Sequence, residues 1–538
     1  MGIREQLNSI AKERILILDG AMGSLIQVLN LDEDSYRGDA FRNHPTPLLG
    51  CNDLLCLTRP GAIAAIHDTY LEAGADIIET CSFNSTSISL SDYGLGNFSY
   101  DISVAAAKIA RSSADKFSVS GKPRFVAGSI GPTAKGASLY PDINNPGKRS
   151  ITWDELEAAY YDNARGLLDG GADIFLVETV FDTLNAKAAL FAIGRLLEER
   201  QADVPVIVSA AITDGGRLLS GQTLDAFCAS IFEMGSSLFK SAIFAIGLNC
   251  SFNAPKLLPH LRALAETVPY FVSVYPNAGL PNKYGFYDET PEIMSANIEK
   301  YLKEGLVNIA GGCCGSTPAH IAAIAEKAAN YEPRKLPGFT PEENPRRVFF
   351  CGLEPLEVKY NTISVRNMIK PADMDEFQTL LAEGEFEDAA DVARDMLEDG
   401  NSILEIKSDD ENTVSKFLDY ALMNPYVAKA PFFINSSRVN VIEAGLKRLQ
   451  GRALAGTLSL KDGESELMRK ARLIRRYGAA AVFSPDGEAS AERIYKLLLE
   501  NEYPAENIVF DVTSLVTAEE NKICSWIRDN CPGVFIAI

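Results

Sequence analysis

The sequence predicts an α/β protein: an N-terminal (β/α)8 TIM barrel followed by a second, incomplete TIM-barrel-like βα domain. Short apolar, β-rich runs recur through the first part of the chain, each followed by a polar or glycine-rich turn and an amphipathic helix. Glycine-, carboxylate- and cysteine-bearing turns cluster at the ends of those runs. A proline-rich stretch then separates them from a second series of the same units.

Eight runs are expected as strands: Ile15–Leu18, Asp76–Glu79, Phe125–Ala127, Ile174–Val177, Val206–Ser209, Ile243–Leu248, Tyr270–Val274 and Val307–Ala310. Between them, Pro60–Ala73 places Ile63, Ile66, Tyr70 and Leu71 on one helical face, with Gly74 as the stop. Trp153–Leu168 reads as a helix ending at Asp169-Gly170-Gly171. Thr317 and Pro318 read as the cap and first-turn proline of a helix His320–Ala329.

Residues 1–335 are therefore expected to form one barrel, 336–349 a proline-rich linker, and 350–538 the second domain. Its expected strands are Thr362–Val365, Ile403–Ile406, Phe432–Ile434, Leu454–Leu458, Ala479–Phe483, Ile508–Asp511 and Val534–Ile538. Seven strands do not close an eight-stranded barrel, so the last units are expected to be missing and one edge left open.

Composition excludes several functions. A net charge of −21 argues against a nucleic-acid or anionic-membrane partner. No apolar stretch is long enough to span a bilayer, and the N-terminus lacks a signal-peptide core. Ten cysteines scattered over 538 residues without an export signal point to reduced thiols and a cytoplasmic location.

In a barrel of this kind the strand ends form one mouth, where the chemistry is built. Asp19, Glu178, Cys250 and the pair Cys313-Cys314 all fall there. Gly311, Gly312 and Gly315 free the backbone to turn both paired sulfurs toward Cys250. Three thiolates with one exchangeable position make a zinc site able to accept a substrate thiol. A closed structural site with a fourth protein ligand, or buried thiols without metal, are the bland alternatives. Asp19 and Glu178, facing one mouth, can bind an ammonium group or merely anchor loop arginines. The turn Asp19–Ser24 offers backbone N–H groups to a carboxylate. Thiol, ammonium and carboxylate together describe an amino acid with a sulfhydryl end.

The motifs Asp19-Gly-Ala-Met-Gly-Ser24, Glu79-Thr-Cys-Ser-Phe-Asn84, Glu178-Thr-Val-Phe-Asp182, Gly247-Leu-Asn-Cys250, Pro276-Asn-Ala-Gly279 and Gly311-Gly-Cys-Cys-Gly315 occur in order. Through roughly residues 10–335 the chain resembles the homocysteine-binding barrel of cobalamin-dependent methionine synthase. That resemblance implies zinc on Cys250, Cys313 and Cys314, with homocysteine sulfur at the fourth position. It implies that Asp19, Glu178 and the Ala21–Met22 backbone hold the amino-acid end. Cys81 departs from the asparagine usual in the family.

The second half resembles the family's pterin-binding barrel, with its ligand motifs eroded. Ser364-Val-Arg-Asn-Met368 stands for a Gly-Glu-Arg-Thr-Asn turn, Glu405-Ile-Lys407 for Asp-x-Asn, and Asn435-Ser-Ser437 for Asp-Ser-Ser. Asp511 is a remnant of the pterin site, followed by Val512 in place of proline. Methyltetrahydrofolate is accordingly not expected as a tight ligand. None of the four histidines, His44, His67, His260 and His320, lies in an Asp-x-His-x-x-Gly cobalamin motif. The expectation is a zinc-dependent homocysteine S-methyltransferase forming methionine, with methylcobalamin delivered in trans on a separate corrinoid protein. A sulfonium or betaine donor, or a non-catalytic homocysteine-binding or assembly subunit, are the alternatives.

Overall fold

The computed structural model describes residues 2–142, 145, 148–237, 243–283, 285, 287–338, 348–358, 371–400, 402–513 and 517–537. Contacts divide the chain into two compact units. The first comprises Met1–Gly136, Asp154–Leu219 and Leu238–Pro345; the second comprises Ala137–Trp153, Ser220–Ser237 and Arg346–Ile538.

The first unit contains strands β1 Leu16–Ile17, β2 Ile77–Glu79, β3 Phe125–Ile130, β4 Ile174–Val180, β5 Val206–Ala210, β6 Ile243–Asn253, β7 Phe271–Asn277 and β8 Ile309–Ala310. All pair in parallel in the order β1-β8-β7-β6-β5-β4-β3-β2, and a bridge from Leu18 to Ile77 closes the ring. Each of the eight expected strands is present. They are near-continuously buried, as parallel strands covered by helices must be. Leu16, Leu18, Ile77, Phe125, Leu176, Ile207, Phe244 and Phe271 belong to one apolar cluster that fills the ring. The three helices read from sequence appear as Pro60–Glu72, Trp153–Gly170 and Pro318–Ala328. The cap at Thr317 runs through a histidine: the Thr317 N–H donates to His320 Nδ1 at 3.1 Å.

The second unit contains a hairpin, β9 Val348–Cys351 with β10 Pro355–Val358, that alternation alone did not reveal. Its sheet is six parallel strands in sequential order: β11 Leu404–Lys407, β12 Phe432–Asn435, β13 Leu454–Leu458, β14 Ala480–Phe483, β15 Ile508–Asp511 and β16 Phe535–Ala537. These match six of the seven expected strands; Thr362–Val365 and the turn Ser364–Met368 lie outside the described residues. Val348 and Phe350 of the hairpin pack into the same core as Phe433, Leu454, Val482, Val509 and Phe535. The strand β9 begins at Val348, two residues inside the stretch read as linker.

The helix Leu224–Ser237 follows β5 in the chain yet groups with the second unit. It packs on the hairpin, where Cys351 Sγ meets Ala226 O and Ser230 Oγ, each at 3.4 Å. Gln222 Nε2 donates to Gly352 O at 2.8 Å. Ala226, Phe227, Ile231 and Met234 are all buried, so this helix has more than one apolar side to cover.

Candidate functional site

The ends of β6 and β8 bring three thiols together. Cys250 Sγ lies 3.8 Å from Cys314 Sγ, Cys313 Sγ lies 4.0 Å from Cys314 Sγ, and all three fall within 4.8 Å of one another. Among the described residues no other group of three His, Cys, Asp or Glu has metal-ligand spacing. The turn after β8 is tied to its neighbours by Cys313 N–H to Pro276 O at 2.8 Å, Ala278 N–H to Cys314 O at 2.9 Å and Gly312 N–H to Asp19 O at 3.1 Å. A Cβ on Gly312 would stand 2.5 Å from Ser316 Oγ. Gly315 has φ +80°, and a Cβ there would meet the Tyr287 side chain at 2.3 Å. Cys250 and Ser251 hold φ of 53° and 55°, a left-handed conformation uncommon outside glycine that concentrates at functional sites.

The thiols differ electrostatically. Hydrogen bonds from Cys250 and Cys313 hold the Cys314 thiol far below its ordinary range. Cys313 is pushed well up by its bonds to Cys250 and Cys314, then by burial. One thiolate supported by two thiols is the stable arrangement of the protein groups alone. A cation at their centre is what lets all three ionise.

Deeper in the mouth lie three carboxyl groups. Asp19 is 2 % exposed and Glu178 3 %, and both sit at strand ends as expected. Glu79, at the end of β2, is the third: its N–H donates to Asp19 Oδ2 at 3.0 Å. Ser129 Oγ donates to Glu178 Oε1 at 2.5 Å. Burial pushes Glu178 up to about 7, against the pull of Ser129. Burial raises Asp19 and Glu79 as well, with a further rise in both from the field of Glu178 and in Glu79 from that of Asp19. None of the three has a lysine or arginine partner among the described residues. Asp19 Oδ1 and Glu79 Oε1 are buried without a hydrogen-bond partner. The loop-anchoring alternative for Asp19 and Glu178 therefore has no arginine to act on.

Ala21 precedes the helix Met22–Val28. Its N–H is already given to Ser316 Oγ at 3.2 Å, while Tyr70 Oη donates to its carbonyl at 3.1 Å. The first-turn N–H groups from Met22 onward have no intrahelical acceptor. Of the Ala21–Met22 pair, Met22 is the donor left for a ligand.

The sequence profile described as homocysteine S-methyltransferase matches residues 16–328. The chain belongs to the homocysteine S-methyltransferase family. It is an enzyme of homocysteine methylation. Among solved structures it is similar to the homocysteine methyltransferase MmuM from Escherichia coli in its oxidized form, at 22 % identity over 61 % of this chain and 100 % of that one, TM-score 0.46. The metallated form of the same protein gives 22 % identity, 60 % and 99 % coverage, and TM-score 0.45. A B12-independent methionine synthase from Shewanella sp. W3-18-1 in complex with selenomethionine gives 16 % identity, 51 % and 88 % coverage, and TM-score 0.31.

In this homocysteine S-methyltransferase the residues beyond 328 lie outside the matched range. The mouth of the second sheet is an open cavity of about 700 Å³ lined by Lys407, Asp409, Asn435, Ser436, Thr457 and Asp511, among others. Its polar groups close on one another. Asn435 Nδ2 donates to Glu405, Thr457 Oγ1 to Asn435 Oδ1 at 2.5 Å, and Ser436 Oγ to Asp409 Oδ1 at 2.7 Å. Asp511 Oδ1 accepts from Thr513 Oγ1 at 2.6 Å and Thr513 N–H at 3.0 Å.

Glu79, Asn249, Ser316 and Tyr287 also lie at this mouth; the first two stand in the strand-end motifs of the sequence without a role assigned to them, and the last two are not singled out there. The pair Glu79-Thr80 repeats Glu178-Thr179 at a strand end, the signal that would have given Glu79 the same role as Glu178. Nothing local marks Tyr287 or Ser316. Cys81 is buried, its Sγ directed to Asn52 O at 3.7 Å.

Proposed function

We propose that the chain is a zinc-dependent homocysteine S-methyltransferase that forms methionine, with methylcobalamin on a separate corrinoid protein as donor. The observation that carries the zinc reading is the convergence of Cys250, Cys313 and Cys314 at the barrel mouth. Tetrahedral zinc with bonds of about 2.3 Å to sulfur separates its ligand sulfurs by roughly 3.8 Å. The Cys250–Cys314 and Cys313–Cys314 distances of 3.8 and 4.0 Å fit that requirement, and an all-thiol donor set suits this metal. Bound there, zinc would stabilise the substrate sulfur as a thiolate at neutral pH.

The rest is assigned to this chain's own groups. Asp19 and Glu178 receive the substrate ammonium, which neutralises charge that no lysine or arginine covers. The Met22 N–H receives the carboxylate. Fixing both ends of the amino acid orients its sulfur, so that in-line displacement at the donor methyl carbon begins from an aligned geometry. The methyl group passes to sulfur, and the bond electrons stay with the departing donor.

The second unit does not use folate in this reading. Its pterin-edge groups are satisfied internally, and opening each such pair costs about 1–3 kcal/mol. Titration calorimetry with methyltetrahydrofolate is expected to give no micromolar binding; such binding would restore folate as a ligand.

The enzyme test compares wild type with Cys314→Ser. The expected loss is of both stoichiometric zinc and homocysteine methylation, assayed with methylcobalamin, a sulfonium and betaine in parallel. Undiminished turnover in a zinc-free variant would refute the metal's role, and activity only with a sulfonium or betaine would refute the donor.

A further inference from the structure

Three cysteine sulfurs stand where the substrate sulfur must also sit, and a methyl donor meets all of them at one mouth. Each ionised sulfur is a nucleophile toward carbon. Methylation of a cysteine would turn it into a neutral thioether and spoil the ligand set. The site therefore needs a means of keeping its own thiolates unreactive. Two such means act on a thiolate: cover, which blocks the approach of carbon, and a hydrogen bond to sulfur, which draws off its charge.

The three cysteines are guarded in different ways. Cys313 packs against the apolar cluster that fills the barrel. The Ser251 N–H donates to Cys250 Sγ. At Cys314 the donor is a side chain, the Tyr287 O–H. Tyr287 is half-buried and also covers that turn: its Cβ and Cγ lie 2.3 Å from where a Cβ on Gly315 would stand.

The placement of Tyr287 is itself built. Its backbone bridges to Pro281 in antiparallel register. Ala278, before that bridge, donates its N–H to Cys314 O at 2.9 Å. Glu289, after it, donates its N–H to Ala278 O at 3.3 Å and so closes the segment at its base. His320 Nδ1 accepts from the Thr317 N–H, so its Nε2 carries the proton and donates to Glu289 O at 2.8 Å. Asn297 Nδ2 adds a bond of 3.1 Å to Glu289 Oε1. The turn that carries Cys314 thus anchors the segment that carries its guard.

We infer that Tyr287 is a positioning residue that sets which sulfur is alkylated: it holds methyl transfer off Cys314 and leaves it to the substrate. This rests on the zinc reading, in which all three cysteines are ionised together.

The test exposes the full chain, zinc-loaded and without homocysteine, to methyl iodide, and maps the products by peptide mass. The methyl carbon bonds to a cysteine sulfur as the carbon–iodine bond breaks, and iodide leaves with the electron pair. The quantity read is the ratio of the S-methylation rates at Cys314 and Cys250. Cys250 keeps its Ser251 N–H in the variant and so reports any general loosening of the site. Thiolate reactivity rises with about the half power of basicity. Tyr287→Phe, which removes one oxygen and keeps the ring, should therefore raise the ratio about three- to tenfold. Zinc content and melting temperature should stay unchanged. An unchanged ratio in zinc-loaded Tyr287→Phe overturns the inference and leaves the zinc reading standing. Loss of zinc from Tyr287→Phe also overturns it, by making Tyr287 a support of the metal site. Wild type that binds no zinc removes the zinc reading, and the inference falls with it.

Discussion

Asn249 grips Thr179 twice: its Oδ1 accepts from the Thr179 N–H at 3.0 Å and its Nδ2 donates to Thr179 Oγ1 at 2.8 Å. The same Oδ1 accepts from Ser209 Oγ at 2.7 Å. Thr179 follows Glu178 and Asn249 precedes Cys250, so one buried amide locks the ends of β4 and β6. Both Thr179 and Cys250 are left-handed, with φ of 54° and 53°. Such conformations cost about 1–3 kcal/mol each and persist only where surrounding bonds over-determine them. The amide is that restraint.

Asn249→Ala should therefore damage two functions at once. Loss of three buried hydrogen bonds should cost about 3 kcal/mol of stability. Zinc retention and the homocysteine KM should worsen together, whereas Ser209→Ala, which loses one bond, should show the smaller change in each. Thermal melts, metal analysis and steady-state kinetics on the two variants check this.

Gly315→Ala is expected to be costly despite adding one methyl group. The position has φ +80°, and the new Cβ would meet the Tyr287 side chain at 2.3 Å. Strain of about 1–3 kcal/mol should appear in denaturant melts, with zinc content reduced by movement of the adjacent Cys314.

Glu79→Gln tests the third carboxyl group. Removing one carboxyl group from the trio takes away an acceptor for the ammonium group, a loss of about 1.5–3 kcal/mol, roughly tenfold or more in the homocysteine KM. Stoichiometric zinc should be retained, since Glu79 is not among the thiol ligands. An unchanged KM would remove Glu79 from the substrate site.

His67 sets an acid limit on stability. It is 0 % exposed, and neither ring nitrogen has a partner. Burial pushes its pKa down to about 4, against a small opposing pull from Asp68. The unfolded chain takes up the proton near 6.5, so stability is full above that pH and falls as pH drops toward 4. The loss across that window is on the order of 3 kcal/mol. Denaturant melts of wild type and His67→Leu between those pH values should converge in slope only if another group dominates.

The first barrel was legible because each parallel strand is a short apolar run with a chemical residue at its end. Cys250, Cys313, Cys314, Asp19 and Glu178 were singled out for that reason, and the structure places all five at or just after strand ends. The bonding roles of Asn249 and Ser316 were not legible because their partners, Thr179 and Ala21, are far away in sequence, and a buried amide or hydroxyl has no local signature. The helix Leu224–Ser237 was read with the barrel by its place in the chain, while its several buried faces pack on the hairpin of the second unit. That hairpin was hidden because Gly352, Leu353 and Glu354 form an ordinary tight turn between two four-residue strands. The Arg149–Asp419–Arg448 network spans some 300 residues and was invisible for the same reason as Asn249.

The most direct test of the proposed chemistry is X-ray absorption at the zinc edge on purified protein, before and after homocysteine is added. The expected result is one zinc per chain with three sulfur neighbours and one lighter neighbour, changing to four sulfurs with substrate. A stoichiometric metal whose shell is unaltered by homocysteine, or no bound zinc at all, would contradict it.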